Sequence, residues 1–482
     1  MNYRKCLISD LRENLDNGSI TSEELFREAV SLANKYQEPY NCFVTICDKF
    51  KMKKRTTPLA GIPYALKDNI STSNILTTAS SNILKNYVPV YDATVYKKLK
   101  NAGAVLVGKT VLDELAMGGT GTTGHTGIVR NPYDKTREIG GSSAGSAAAV
   151  ALGIVPFAIG SDTGDSIRKP AAFGGVVGYK PTYGLISRYG LFAFASSLDH
   201  VGCFARSVKD VALVTNTIKG YDPHDMTTYQ DNSDLLSGID EPLAYKKLFY
   251  IKEIVDRSLY KEDDDELMQV LDNFYSLLER LKTRGAEITE VSIDKALLEA
   301  IYPTYMTISC AEATSNNSNL TGIAFGNRIA KDDVNSLITA TRTEGFSELI
   351  KRRFVLGSYI LQKENQEKLY LNACRVRRLL VDKLTNLFKE YDSLILPCSG
   401  GPAPKFDDDS DKLSDKYLLL ENHMALGNFG GFPSITIPSG FVNNCPIGIN
   451  LTSGIKEDKK VLNIANEIEM LTGLKGQIGG EE

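Results

Sequence analysis

Two glycine- and serine-rich loops flank an alanine-rich segment between residues 140 and 168 of this 482-residue chain. The first loop reads Gly140-Gly-Ser-Ser-Ala-Gly-Ser146, and the second reads Gly160-Ser-Asp-Thr-Gly-Asp-Ser166. The apolar run 147–153 predicts a buried helix, and residues 156–159 predict a strand that leads into the second loop. Helices and strands that alternate in this way favour an α/β sheet covered on both faces. Glycine in the connecting loops would let a substrate approach the serines closely.

A serine nucleophile needs a neighbouring base, and the sequence offers four histidines, at positions 125, 200, 224 and 423. None of them lies in a motif with an acidic residue that could orient it. The Gly-x-Ser-x-Gly pattern of an esterase fits residues 141–145, but it requires a triad histidine for which there is no clear candidate. Lys67 is the alternative base, because it follows the apolar segment 62–66 and burial lowers the pKa of a lysine toward neutrality.

Composition argues against several other classes of protein. The formal net charge is −4, whereas nucleic-acid-binding proteins usually carry a strongly basic face. The first glycine loop lacks the lysine of a Walker phosphate loop. Eight cysteines without Cys-x-x-Cys spacing predict reduced thiols and no metal site, and no apolar stretch is long enough to cross a bilayer. We therefore expect a cytoplasmic protein without a bound metal.

The remaining patterns predict one large domain. N-terminal helices are expected over about residues 1–55, a core over about 56–215, and a helical segment with closing strands over about 216–482. Thr21-Ser-Glu-Glu24 is a capping box that predicts the start of an amphipathic helix. Further helices are predicted at 93–101, in most of 297–388 and at 459–471. Strands are predicted at 59–66 (as strand-turn-strand), 104–108, 248–254, 286–293, 393–397, 434–438 and 446–451, the last two as a hairpin.

Three motifs together resemble the amidase signature family: Lys67 in Ala-Leu-Lys-Asp-Asn, Ser142 in Gly-Gly-Ser-Ser, and Ser166 in Gly-Ser-Asp-Thr-Gly-Asp-Ser-Ile-Arg. The resemblance covers nearly the whole chain. It implies an α/β fold in a single large domain, with a central mixed, twisted sheet covered by helices on both faces. Later segments, among them Leu115-Ala-Met-Gly and Glu344-Gly-Phe, resemble the glutamine-hydrolysing subunits of tRNA-dependent amidotransferases.

The resemblance also implies a catalytic triad. Ser166 would be the nucleophile, and Ser142, on a cis peptide bond, would pass protons between Ser166 and the neutral amine of Lys67. We expect Asp162 and Arg168 to hold in place the second loop, which carries Ser166 and is called the nucleophile loop below. The oxyanion hole would be formed by the backbone N–H groups of Thr163, Gly164 and Asp165.

On the substrate side, the resemblance matches Tyr305 and Arg353 to positions that bind the α-carboxylate of glutamine and its surroundings. Glu421 aligns with an aspartate that binds the α-amino group. The family usually has glycine where Asp165 precedes the nucleophile, and a neutral residue where this chain has Lys169. A carboxylate beside a developing oxyanion would oppose catalysis, so we expect Asp165 to point away from the site, toward Lys169.

The resemblance further implies that this chain has no cofactor of its own. A larger partner subunit would bind the charged tRNA and use ATP and Mg²⁺ to activate its glutamyl or aspartyl group, and a small third subunit would brace the pair. Two alternatives are a free-standing amidase that acts on a small carboxamide and a non-catalytic assembly scaffold disabled by Asp165. Tyr305 and Arg353 favour the glutamine-hydrolysing subunit over a free-standing amidase, because a general amidase has no need to bind an amino acid.

Overall fold

The computed structural model describes residues 2–53, 55–408 and 411–480, and the eleven strands within these ranges belong to one sheet. In chain order the strands are β1 (Phe43–Ile46), β2 (Pro63–Lys67), β3 (Val105–Thr110), β4 (Phe157–Asp162), β5 (Val177–Lys180), β6 (His200–Ala205), β7 (Lys247–Ile251), β8 (Glu287–Val291), β9 (Ser393–Pro397), β10 (Ser434–Val442) and β11 (Cys445–Thr452). Their order across the sheet is β1-β3-β2-β4-β6-β5-β10-β11-β9-β7-β8. The sheet is mixed: β2 is parallel to β3 and β4, β7 is parallel to β8 and β9, and the other pairs are antiparallel.

Helices flank this sheet. Those in the described ranges are α1 (Ile8–Asp16), α2 (Ser22–Tyr40), α3 (Thr94–Asn101), α4 (Ala144–Ala151), α5 (Arg168–Phe173), α6 (Val208–Ile218), α7 (Lys252–Val255), α8 (Asp265–Thr283), α9 (Lys295–Glu299), α10 (Ile301–Asn316), α11 (Val334–Gly345), α12 (Glu348–Ile360), α13 (Lys363–Gln366), α14 (Asn372–Leu387), α15 (Ala425–Phe429) and α16 (Asp458–Thr472). Every residue of β2, β3, β4 and β6 is buried. Because successive side chains of a strand point to opposite faces, the sheet is covered on both faces, as predicted. In the described part of the chain, no helix is long and apolar enough to cross a membrane.

Several local predictions are confirmed. Glu24 donates its backbone N–H to Thr21 Oγ1 at 3.2 Å, and Glu24 Oε2 accepts the Thr21 N–H at 2.8 Å, so the capping box starts α2. The predicted hairpin is the antiparallel pair β10–β11, which is longer at its turn than the pattern indicates. Both halves of the chain contribute strands to the single sheet, so the chain forms one α/β domain.

Three local predictions differ from the structure. Residues 59–61 form a turn instead of the first half of a strand-turn-strand, because Gly61 has a φ of +80° that no strand residue adopts. The strand predicted at 248–254 ends at Ile251, where α7 begins. The N-terminal segment predicted as helical also contains β1, which pairs with β3 at the edge of the sheet.

Candidate active site

Strands β2 and β4 bring Lys67 against the first serine loop. The two strands are adjacent and parallel, so their carboxyl ends meet at the same edge of the sheet, where α/β proteins place their sites. Lys67 Nζ lies 2.8 Å from Ser142 Oγ, 2.8 Å from Ser143 Oγ and 2.9 Å from Ser161 Oγ. The predicted approach of Lys67 to Ser142 is confirmed, and the Gly141–Ser142 peptide bond is cis.

The environment of Lys67 suits its amine to act as a base. Burial lowers the pKa of Lys67 to about 7, although the carboxylates of Asp113, Asp162 and Asp199 act in the opposite direction. Near neutral pH both the amine and the ammonium are therefore populated, as a group that accepts and returns a proton requires. The Ser143 hydroxyl donates to the Ser161 carbonyl oxygen at 3.0 Å, which orients it as an acceptor for Lys67.

The second serine loop joins β4 to α5 and is hydrogen bonded to the first. Ser166 is buried, and its carbonyl oxygen accepts the N–H of Ser143 at 3.2 Å. Arg168 donates from Nη2 to Asp162 Oδ1 at 3.0 Å and to the Gly164 carbonyl oxygen at 2.6 Å. Burial opposes ionisation of Asp162, but contact with Arg168 lowers its pKa overall. The expectation that Asp162 and Arg168 hold the nucleophile loop is consistent with these contacts.

The backbone of this loop offers donors for an oxyanion. The N–H groups of Thr163, Gly164 and Asp165 donate no hydrogen bond to any other described residue. The Thr163 hydroxyl donates to Asp199 Oδ1 at 2.7 Å, and Arg168 holds the carbonyl of Gly164, so both residues are fixed by groups other than their N–H. Their assignment to the oxyanion hole stays a prediction.

Asp165 points toward Lys169, as expected. Lys169 Nζ lies 3.2 Å from Asp165 Oδ2 and 3.3 Å from Glu421 Oε2, and it donates to the Glu421 carbonyl oxygen at 2.7 Å. Burial alone would lower the pKa of Lys169, but the two carboxylates raise it overall, so the lysine stays charged. Glu421 Oε1 accepts the Gly400 N–H at 2.7 Å. Glu421 is therefore already held by Lys169 and Gly400, and its contact with the substrate's amino group stays a prediction.

Tyr305 packs on the nucleophile loop and shares a neighbour, Phe194, with Arg353. The ring of Tyr305 packs on Gly164, where an added Cβ would lie 2.9 Å from Tyr305 Cε2. Tyr305 also meets Phe194 edge-on, and the Arg353 guanidinium carbon lies 5.6 Å from the centre of the Phe194 ring. Nε and Nη1 of Arg353 are buried without a hydrogen-bond partner among the described residues. Nε and Nη1 lie on different edges of the guanidinium, and each can form a bidentate pair with Nη2 to bind a carboxylate.

The histidines are engaged elsewhere. His200 Nδ1 lies 2.7 Å from the Leu198 carbonyl oxygen, and His423 Nδ1 lies 2.9 Å from that of Leu420. Burial lowers the pKa of His423 to about 3 and lowers that of His200 well below its usual range. These two histidines are therefore neutral, and no histidine contacts Ser142 in the described part of the chain.

Sequence reasoning missed Asp113, which also holds the first serine loop in place. Its N–H donates to the Ser142 carbonyl oxygen at 3.2 Å. Its carboxylate accepts four backbone N–H groups of the glycine–threonine loop that follows, those of Thr120, Gly121, Thr122 and Thr123. The run of glycine and threonine after an aspartate was the available signal, since such a loop exposes consecutive N–H groups that can surround an anion.

The described residues contain no metal-binding cluster and no disulfide bond. Within these ranges, no group of three or more histidine, cysteine, aspartate and glutamate side chains is arranged to hold a metal ion. The eight cysteines are free thiols.

A buried lysine that is hydrogen bonded to the serines of one glycine loop, beside a second glycine loop that carries a further serine, is the arrangement of an amidase that uses a serine nucleophile. The chain belongs to the Amidase family, whose model matches residues 24–462. It is similar to the A subunit of glutamyl-tRNA(Gln) amidotransferase from Pseudothermotoga lettingae, with 40% identity over 457 residues that cover 93% of this chain and 95% of the relative. The corresponding protein of Carboxydothermus hydrogenoformans is 43% identical over 417 residues, which cover 86% and 84% of the two chains. The crystal structure of the Thermotoga maritima counterpart matches with a TM-score of 0.81 and 36% identity, covering 97% of this chain and 95% of that one.

Proposed function

We propose that this chain hydrolyses glutamine and supplies the ammonia to a partner as the glutaminase subunit of a glutamyl-tRNA(Gln) amidotransferase. The contact between Lys67 Nζ and Ser142 Oγ carries the proposal, because it joins a buried lysine, whose pKa is lowered to about 7, to a serine beside the nucleophile loop. Similarity to relatives that bear the name of this amidotransferase, over more than nine-tenths of each chain in the best-covered cases, supports this assignment over a free-standing amidase.

In the acylation step, Ser166 Oγ attacks the carboxamide carbon of glutamine. The proton of Ser166 passes to Ser142 while the proton of Ser142 passes to the neutral amine of Lys67. The carbonyl oxygen becomes an oxyanion, which the N–H groups of Thr163, Gly164 and Asp165 would stabilise, each such donor typically contributing about 3–4 kcal/mol. The carbon–nitrogen bond then breaks, and the proton returns from Lys67 through Ser142 to the departing ammonia.

In the deacylation step, water attacks the glutamyl ester of Ser166. Lys67 accepts the proton of the water through Ser142, and the carbon–oxygen bond of the ester breaks. Ser166 Oγ then recovers the proton, and glutamate leaves. Each half of the cycle therefore uses Lys67 once as a base and once as an acid.

We assign the α-carboxylate of glutamine to the guanidinium of Arg353, whose buried Nε and Nη1 are unpaired among the described residues, near the ring of Tyr305. We place the α-ammonium group near Asp165 and Glu421, the two acidic side chains around Lys169, because carboxyl oxygens can accept its hydrogen bonds. By resemblance, the larger partner would bind the charged tRNA and use ATP and Mg²⁺, and a small third protein would complete the complex in the cytoplasm.

Ammonia release tests this function. The chain is purified alone and with its copurifying partners, and ammonia is measured from L-glutamine and from propionamide, with and without charged tRNA. We expect glutamine to be preferred and the rate to rise in the complete complex with charged tRNA. Equal turnover of propionamide by a chain that copurifies with no partner would instead identify a free-standing amidase. Failure of hydroxylamine to trap a glutamyl group from Ser166 in the intact complex would identify a scaffold.

Arg353→Ala should raise the KM for glutamine by about 10²-fold, because it removes charge-assisted hydrogen bonds to the α-carboxylate. The kcat/KM for propionamide, which has no carboxylate, should change little. Steady-state ammonia release from the two substrates measures this difference. Equal losses on both substrates would argue against a carboxylate site at Arg353.

At alkaline pH, where Asp165 is ionised despite the burial that raises its pKa, Lys169→Met should lower kcat for glutamine by about 10-fold to 10²-fold. The variant leaves the Asp165 carboxylate unpaired beside the developing oxyanion. The double variant Asp165→Asn/Lys169→Met removes both charges and should recover most of the lost rate. The single variant Asp165→Asn is the matched control. A double variant as slow as Lys169→Met alone would contradict this electrostatic interpretation.

A further inference from the structure

Glu114 is a buried acidic residue with no part in the chemistry described above. Its side chain joins two segments that are far apart in sequence: Oε1 accepts the Ser81 hydroxyl at 2.5 Å, and Oε2 accepts the Ser347 N–H at 3.1 Å. Burial raises the pKa of Glu114, although these hydrogen bonds act in the opposite direction. A carboxylate in such a place is retained only where its partners compensate for lost hydration, so both contacts matter to this part of the structure.

On one side, Glu114 is attached to the active site through its neighbour. It opens the short 3₁₀ turn Glu114–Ala116, and the residue before it, Asp113, donates its N–H to the carbonyl oxygen of Ser142. The Asp113 carboxylate is fixed by four backbone N–H groups of the following loop. The backbone of Glu114 therefore has a defined position relative to the triad.

On the other side, Glu114 holds the beginning of α12. Ser347 is the residue that precedes this helix, and its own side chain makes no capping hydrogen bond. A carboxylate at this end satisfies a backbone N–H and interacts favourably with the helix dipole. Ser81 also donates to the carbonyl oxygen of Gly345 at 3.4 Å, and a Cβ at Gly345 would lie 2.9 Å from Ile83. The chain entering α12 is thus packed closely on the segment around Ser81.

Helix α12 carries Arg353 in its second turn. The Arg353 guanidinium lies over Phe194, with Nε and Nη1 buried and unpaired among the described residues. Because a helix moves as a rigid unit over two turns, a shift of its first residues displaces Arg353 relative to Ser166. The contact at Ser347 therefore helps to set this distance, together with the packing of α12 on α10 at Gly357.

We propose that Glu114 is a positioning residue that holds the N-terminus of α12, and with it Arg353, at the distance from Ser166 that selects a carboxamide bearing a carboxylate. This role rests on the proposed glutaminase function. Glu114 does not touch the substrate and acts only through Arg353. It accounts for two sequence segments that the triad leaves unexplained, Leu115-Ala-Met-Gly and Glu344-Gly-Phe, because they flank the two ends of this contact.

The test compares L-glutamine with propionamide in the full chain copurified with its partners. Glu114→Ala should raise the KM for glutamine about tenfold and change kcat, and the kcat/KM for propionamide, by less than about twofold. Glu114→Gln should restore most of the affinity, because its amide oxygen can still accept the Ser347 N–H. In an Arg353→Ala background, Glu114→Ala should add no further increase in the glutamine KM.

Two further variants guard against a general loss of folding. Ser347→Pro removes the N–H donor and places the proline Cδ against Glu114 Oε2, so it breaks the same contact from the α12 side. The backbone angles accept proline, because Ser347 has a φ of −67° and Phe346 is extended. This variant should reproduce the rise in KM. The matched control is Glu348→Ala, which removes a neighbouring acidic side chain that is 75% exposed and should leave both substrates unaffected.

The outcomes separate this proposal from the function on which it rests. A wild-type complex that does not prefer glutamine over propionamide overturns the glutaminase function itself. A wild-type preference that Glu114→Ala and Ser347→Pro leave unchanged overturns the positioning role alone. Equal losses on both substrates, or an additive effect in the Arg353→Ala background, overturn it as well, because they indicate a merely structural contact.

Discussion

Ser166→Ala is expected to abolish glutamine-dependent amidation of the tRNA and to leave amidation with added ammonia intact. The variant keeps the fold and the backbone N–H groups but removes the oxygen that forms the glutamyl ester. Loss of a serine nucleophile lowers kcat by about 10⁴-fold to 10⁶-fold in enzymes whose residues act as a unit. The measurement is product formation on charged tRNA by the purified complex, with glutamine or ammonium chloride as the nitrogen source.

Ammonia-dependent activity is the internal control in this experiment, because in the proposed complex added ammonia would bypass this chain and enter at the partner. Loss of both activities would contradict the assignment of this chain as a separate glutaminase subunit. Retention of glutamine-dependent activity would show that Ser166 is not the nucleophile.

Lys67→Met should produce a loss of similar size, because methionine fills the space of the lysine stem but cannot accept a proton. The wild-type kcat/KM for glutamine should rise with pH through about 7, since burial lowers the pKa of Lys67 to about 7 and only the neutral amine acts as a base. Below that pH the ammonium form predominates and the first proton transfer has no acceptor. The pH profile of ammonia release measures this rise in kcat/KM.

Lys67→Arg is the matched variant for this prediction. A guanidinium keeps the positive charge but does not lose its proton in proteins, so it should be as inactive as Lys67→Met. If Lys67→Arg retained activity, Lys67 would act as a fixed cation. A normal glutaminase rate in Lys67→Met would rule out the lysine as the base.

The approach of Lys67 to Ser142 could be predicted from sequence because the residues of the proposed triad lie in short motifs. Lys67, Ser142 and Ser166 each stand beside glycine, serine or apolar residues that the chemistry requires, and the family resemblance supplies their pairing. The orientation of Asp165 could also be predicted, because Lys169 lies one helical turn further on. Local chemistry was sufficient for Asp165, whereas the pairing of Lys67 with Ser142 also needed the resemblance.

The supporting contacts could not be predicted in the same way, because they depend on how distant segments meet. Asn428 donates to Asp162 Oδ1 at 2.9 Å from α15, and Glu114 reaches Ser347 at the start of α12. Neither pairing has a local pattern. At Gly61 the local pattern itself was misleading. The apolar residues around Gly61 resemble a strand, but the left-handed backbone of Gly61 forms a turn there.

The order of the strands also determines when the site can form during protein synthesis. Strands β7 and β8 join the sheet through β9, and β9 joins it through β11. Strands β7 and β8 therefore cannot join the sheet until β9 and β11, which come later in the chain, have been synthesised. The nucleophile loop has equally late partners, since Arg168 Nη1 donates to the Met424 carbonyl oxygen at 2.8 Å across 256 residues. Contacts of such sequence separation form slowly, because closing a long loop costs entropy before the contact repays it. A nascent chain on the ribosome therefore lacks a finished active site until the segment that carries Met424 and strands β10 and β11 has emerged.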